Sequence, residues 1–148
     1  MKKILSFTIL ILGLCLCACE AKEAEEEIEM DNTPKETIGI TFINEVEEAD
    51  VWIIPNTEEN RSTSLWGTAT VAKSLPGTEY GAELTKSEND EYLLYMIDVG
   101  EMYYEAGAIT LLQGYTVTIS EEGYETEILI ADAEGKIVLK KSIFRAAL

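Results

Sequence analysis

Tyr124-Glu125-Thr126-Glu127-Ile128-Leu129-Ile130 is the stretch that decides the fold. Tyr124, Thr126, Ile128 and Ile130 alternate with Glu125, Glu127 and Leu129. Successive side chains of a strand point to opposite faces, so this spacing gives one core-facing row and one largely polar row. Asp132-Ala133-Glu134-Gly135 follows and suits a hairpin turn with Gly at the left-handed position. Lys136 to Ile143 then reads as the returning strand.

The same grammar extends upstream. Tyr115, Val117 and Ile119 alternate with Thr116 and Thr118, and Ile38, Ile40 and Phe42 alternate with Gly39 and Thr41. β-Branched and aromatic residues at such sites favour strand. Val51-Trp52-Ile53-Ile54 and Tyr92-Leu93-Leu94-Tyr95-Met96-Ile97 are apolar on both faces, as central or doubly covered strands are. Tyr80 to Thr85 and Ala108 to Leu112 complete the set. Pro76-Gly77 suits a type II turn. One weak helix, a turn or two, is expected within Leu65 to Leu75, where Leu65, Ala69, Ala72 and Leu75 share a face. About eight short strands in the 111 residues from 38 to 148 predict an all-β fold, an antiparallel β-sandwich, with a jelly-roll or small barrel as the alternative. The expected core is Ile40, Phe42, Trp52, Ile54, Leu94, Met96, Val117, Ile119, Ile128, Ile130 and Leu139.

The N-terminus carries an address. Met1-Lys2-Lys3 is cationic, and Ile4 to Ala18 runs fifteen residues without a charge. These are the n-region and h-region of a secretory signal peptide, too short for a stable membrane span of about 20 residues. Leu16-Cys17-Ala18-Cys19 resembles the lipobox of bacterial lipoproteins. The resemblance implies a diacylglyceryl thioether on Cys19, a signal peptide over 1–18, and anchorage on the extracytoplasmic face of a cell membrane, inner or outer. Cys15, Cys17 and Cys19 are the three cysteines of the chain, so the processed protein would hold no disulfide.

Residues 19–37 are expected to be the lipidated Cys and an acidic tether. Glu20 to Thr37 counts eight acids and two lysines. Like charges at Glu23/Glu27 and Glu25/Glu29 oppose a helix, and no apolar stripe is present to pack one. A solvated spacer holding residues 38–148 off an anionic surface is the reading these features favour over an acidic docking segment.

The whole chain has 11 Lys and Arg against 28 Asp and Glu, a formal charge of −17. That argues against nucleic acid as a partner, since phosphate binding needs a basic face. There is no His, which removes Ser-His and Cys-His nucleophile pairs and His-ligated zinc. No phosphate loop and no Gly-x-Ser-x-Gly occurs. With twenty acids in residues 38–148, a close carboxylate pair says nothing about glycosidase chemistry. No enzyme activity, cofactor or metal is expected. The acidic loops Glu45 to Asp50 and Glu88 to Glu91 are mainly Glu and lack the Asp-x-Asp-x-Asp spacing that fixes calcium.

Phe42-Ile43-Asn44, Asp50 to Pro55, Leu65-Trp66-Gly67, Leu75-Pro76-Gly77 and Tyr95 to Asp98 together resemble a small, C2-like β-sandwich domain of exported bacterial proteins. The similarity spans about residues 38–119 and implies a sandwich without implying an activity. The glutamates at 45, 47 and 48 depart from the turn that the pattern would place after Asn44.

Three kinds of residue stand out as binding candidates. Trp66 follows a polar run, where an exposed ring can anchor a sugar or a protein, although packing under its own loop is the commoner arrangement. Tyr103 and Tyr104 are adjacent on a strand, so alternation buries one and leaves the other partly exposed. Lys136, Lys140, Lys141 and Arg145 could face anionic lipid or peptidoglycan, although charge balance against the twenty acids is the favoured reading. The tail Phe144 to Leu148 is expected to fray. A non-catalytic binding or accessory module with a protein or glycan partner is the leading functional expectation, ahead of a structural envelope subunit and an enzyme.

Overall fold

A computed structural model describes residues 34–63 and 66–148. The expected signal peptide, Cys19 and nearly all of the tether lie outside the described residues.

Ten strands form: β1 (Thr37–Asn44), β2 (Ala49–Pro55), β3 (Val71–Ser74), β4 (Thr78–Thr85), β5 (Glu91–Asp98), β6 (Met102–Thr110), β7 (Thr116–Glu122), β8 (Glu125–Ala131), β9 (Ile137–Ser142) and β10 (Phe144–Ala147). One short helix, α1 (Glu58–Ser62), lies between β2 and β3. The strands make two five-stranded sheets, ordered β4-β1-β7-β8-β9 and β10-β6-β5-β2-β3. The first is called sheet A and the second sheet B. The fold is the all-β sandwich that the alternation predicts. Neither sheet closes into a barrel. Pairing is antiparallel except between β1 and β7, which run parallel with Thr41 opposite Thr116 and Asn44 opposite Ile119.

The core sits between the sheets. Sheet A contributes Ile40, Phe42, Leu84, Val117, Ile119, Ile128 and Ile130, and sheet B contributes Val51, Ile53, Leu94, Met96, Tyr104 and Ile109, all buried. Fully burying one such aliphatic or aromatic side chain contributes about 1.5–3 kcal/mol, and this non-directional term is what holds the two faces together. A polar bridge supplies direction. The fully buried Asn44 Nδ2 donates to Glu47 O at 2.6 Å and to Ser74 O and Oγ at 3.1 Å, while Oδ1 accepts from Val46 N at 3.0 Å. The side chain thereby shapes the Glu-rich turn after β1 and ties β1 of sheet A to β3 of sheet B.

Several expectations are corrected. The expected helix over Leu65 to Leu75 is in part the strand β3, and the helix lies earlier, at Glu58–Ser62. Thr57 caps it, its Oγ1 accepting from Asn60 N at 3.1 Å. The tail is not frayed, because Phe144 to Ala147 pairs with β6 as β10. Trp52 and Ile54 do not face the core. Val51 and Ile53 do, so the phase of β2 is shifted by one residue. Leu139 packs against the core only in part. The Pro76-Gly77 turn forms as expected, with Gly77 at φ 74° and Thr78 N donating to Leu75 O at 3.2 Å.

Candidate functional site

The outer face of sheet B holds a cluster of rings. With Val51 and Ile53 pointing inward, Trp52 must point outward. On β5, Tyr92, Leu94 and Met96 take the core side, yet Leu93 and Tyr95 on the opposite side are buried too. A second cover therefore lies over the sheet, and Trp66 supplies it at Tyr95. Trp66 stacks on Tyr95 with ring centroids 4.2 Å apart and planes 4° from parallel. Trp52 meets Trp66 at 5.6 Å and 58°. Tyr103 lies 6.1 Å from Tyr95 and 6.3 Å from Trp66, within about 20° of both planes.

Polar contacts hold the residues around Trp66. Trp66 Nε1 donates to Thr63 O at 3.1 Å and Trp52 Nε1 donates to Gly67 O at 3.2 Å. Thr70 Oγ1 accepts from Ile53 N at 2.9 Å and donates to Ile53 O at 3.2 Å, taking the place of a strand neighbour. Asn60 Nδ2 donates to Pro55 O at 2.8 Å and anchors α1 to the end of β2.

Cross-strand register assembles the rest. Trp52 lies opposite Tyr95, Tyr95 opposite Glu105, and Glu105 opposite Phe144. This row crosses four strands, about 14 Å at about 4.8 Å per strand. A bulge in β6 makes it possible. Leu94 pairs with Gly107 and Tyr95 with Glu105, so Ala106 is extra, and Gly107 takes φ 65°. Tyr103 follows on the same face, opposite Ile97 and Ala146, and its hydroxyl donates to Glu105 Oε2 at 3.1 Å. Phe144 is 60% exposed, whereas Trp52, Trp66, Tyr103 and Glu105 are half-buried.

The three central strands of this face carry acids and no base, while Lys73 on β3 and Arg145 on β10 belong to the edge strands. Asp50, Glu91 and Glu105 point outward, and β2, β5 and β6 contain no Lys or Arg. Burial raises the Tyr103 phenol above its ordinary value, and the charge and hydrogen bond of Glu105 add to that. Burial and then the Glu105 charge act the same way on Tyr95.

The expected binding residues divide. Trp66 and Tyr103 come together, and Cys19 lies outside the described residues. Tyr104 does not belong to the surface, because alternation buries it completely on the core side. Its hydroxyl donates to Asp98 Oδ2 at 2.8 Å, and the Arg145 guanidinium lies 5.3 Å from its ring centroid. Trp52, Tyr95, Glu105 and Phe144 were not singled out from the sequence as binding residues. The apolar outer side of β5 was the signal that some cover must lie on that face.

In the basic cluster Lys140 Nζ pairs with Glu122 at 2.8 Å and Glu127 at 2.9 Å, Arg145 pairs with Glu121 at 2.9 Å, and Lys141 Nζ donates to Ala108 O at 3.5 Å. Asp50 Oδ1 accepts from Lys73 N at 2.7 Å. Among the described residues no three His, Cys, Asp or Glu side chains converge as metal ligands. The broad cleft between residues 55–60 and 85–89 has a mixed-charge lining, in which Lys86 pairs with Glu36 at 3.0 Å. No protein-family model, curated protein or solved structure matches the chain.

Proposed function

We propose that the chain is a lipid-anchored envelope protein acting as a non-catalytic binding or accessory module. Cys19 holds it to the extracytoplasmic face of a membrane, and the outer face of sheet B meets a protein or glycan partner. One observation carries the binding reading: the half-buried rings of Trp66 and Tyr103 lie nearly parallel on the outer face of sheet B, Trp66 held by its stack on Tyr95 and its hydrogen bond to Thr63 O. Preformed aromatic surface is the kind of surface that anchors partners at low entropic cost. The lipobox resemblance and the uncharged run before it support the anchor. Two acyl chains hold a protein on a membrane where one holds only marginally.

Two measurements test the two halves. Cys19→Ser should leave the chain soluble or unprocessed, and a processed Cys19→Ser chain that still sediments with membranes would refute the anchor. Both tryptophans of the chain lie in the ring cluster, so intrinsic fluorescence reports ligands there. A panel of glycans and peptides that leaves this emission unchanged would refute the binding face.

A further inference from the structure

We infer that the aromatic row on sheet B binds a cationic side chain, a guanidinium before an ammonium, presented by an extended basic peptide. The inference rests on the proposed reading of this face as a binding site and gives it a ligand class.

Glu105 is the centre of the argument. Its carboxylate is half-buried in a row of rings, with Tyr95 on one side strand and Phe144 on the other. Directly opposed residues of neighbouring strands have Cβ atoms about 4.5–5.5 Å apart, so both rings stand beside the carboxylate. Among the described residues its one side-chain partner is the Tyr103 hydroxyl, which takes Oε2 and leaves Oε1 open. Lys140 and Arg145, by contrast, are already paired with Glu122, Glu127 and Glu121. Among the described residues no Lys or Arg pairs with Glu105, so its charge is open to a cation from outside.

The surroundings choose the ligand. Ring faces attract cations through their quadrupole, and guanidinium adds planar stacking and a fork that fits a carboxylate. Asp50 and Glu91 extend the negative potential of the same face, and its three longest strands offer no competing Lys or Arg. A phosphate, an anionic lipid or an acidic peptide meets repulsion there. A neutral sugar would stack on the rings and donate a hydroxyl to the carboxylate, but would gain nothing from the acids around it. Tyr95 is buried beneath Trp66, so the accessible rings next to Glu105 are Tyr103 and Phe144.

The test uses the full chain in a polyoxyethylene detergent and follows tryptophan emission. The probes are a capped peptide alternating Ala and Arg, the same peptide with Lys, the same with Gln, and a neutral gluco-oligosaccharide. The Arg peptide should bind more tightly than the Lys peptide, the Gln peptide should not bind, and affinity should fall as salt rises. Glu105→Gln should weaken the Arg peptide about tenfold while circular dichroism stays unchanged. Phe144→Ala should weaken it severalfold. Emission changes with the oligosaccharide alone, indifferent to Glu105→Gln, would overturn the ligand class and leave the binding face standing. No response to any probe would overturn both, and so would Arg-peptide binding that survives Trp66→Ala and Glu105→Gln together.

Discussion

Val51 and Trp52 are neighbours with opposite fates, and the difference sets what each is worth. Phe42 and Val51 are fully enclosed between the sheets, whereas Trp52 is half-buried on the outer face. Phe42→Ala should therefore cost about 3–5 kcal/mol, the range for emptying an aromatic core site. Trp52→Ala should cost less, although Trp is the larger side chain, because water already reaches the site. Urea denaturation of both variants decides the matter, and a larger loss for Trp52→Ala would place the main core on the wrong side of β2. A second expectation concerns alkali. Burial first, then the hydrogen bond and charge of Asp98, raise the Tyr104 phenol above its ordinary value of 10.0. Burial raises Tyr92, Tyr95 and Tyr103 as well. Below pH 10 this stabilisation is complete. As pH climbs past 10 the unfolded chain releases these protons while the native chain keeps them, so stability falls until the native phenols titrate. The denaturant midpoint should decline through this alkaline window, and Tyr104→Phe should make the decline shallower. An unchanged slope in that variant would mean that Tyr104 is not among the raised phenols.

At the scale of elements, the bulge in β6 carries the most consequence. Gly107 sits at φ 65°, and a Cβ there would meet nothing within 4 Å, so Gly107→Ala is a pure backbone test. Left-handed backbone costs an L-residue about 1–2 kcal/mol, and the variant should lose that much stability. If the bulge gives way instead, Glu105 no longer faces Tyr95, and the tryptophan emission should shift with it. The bulge also marks where the sequence stops being readable. Strands with one buried face, such as β1, β7 and β8, declare their phase by alternation, because a slip of one residue would put every apolar side chain in water. β2 and β5 are apolar on both faces, so alternation cannot fix which of Trp52 and Val51 points inward. β3 and β10 have four residues each and are strands because β2 and β6 pair with them. Nothing in Phe144-Arg145-Ala146-Ala147 announces that pairing. The site shows the same division. Trp66 and the Tyr103/Tyr104 alternation could be read directly, whereas Glu105 and Phe144 become neighbours only through a register that an extra residue sets.

Over the whole molecule, strands that are distant in sequence depend on one another. β1 lies between β4 and β7 inside sheet A, and β10, at the other end of the described chain, completes sheet B. Asn44 joins the sheets by holding Ser74 and the turn after β1. Few of these contacts are local, so folding should take milliseconds to seconds, as β-sandwiches do. The same dependence predicts a single unfolding transition. Far-ultraviolet circular dichroism reports both sheets, and tryptophan emission reports only the ring cluster outside sheet B. That cluster is attached through the Trp52, Thr70 and Asn60 hydrogen bonds to β2, whose other face is core. It therefore has no means of melting ahead of the sheet, and the two signals should share one midpoint in urea. Asn44→Ala sharpens the test, because the substitution lies in sheet A and Trp52 in sheet B, on its outer face. It removes the acceptor of Val46 N and the donor to Glu47 O and Ser74 O, at about 1–3 kcal/mol for each group left buried and unpaired, while Ser74 Oγ keeps Ala49 O. It should lower both midpoints together. Emission that shifts at lower urea than the dichroism, in either protein, would mean that the ring cluster is a separately melting flap, and the preformed face on which binding is argued would be lost with it.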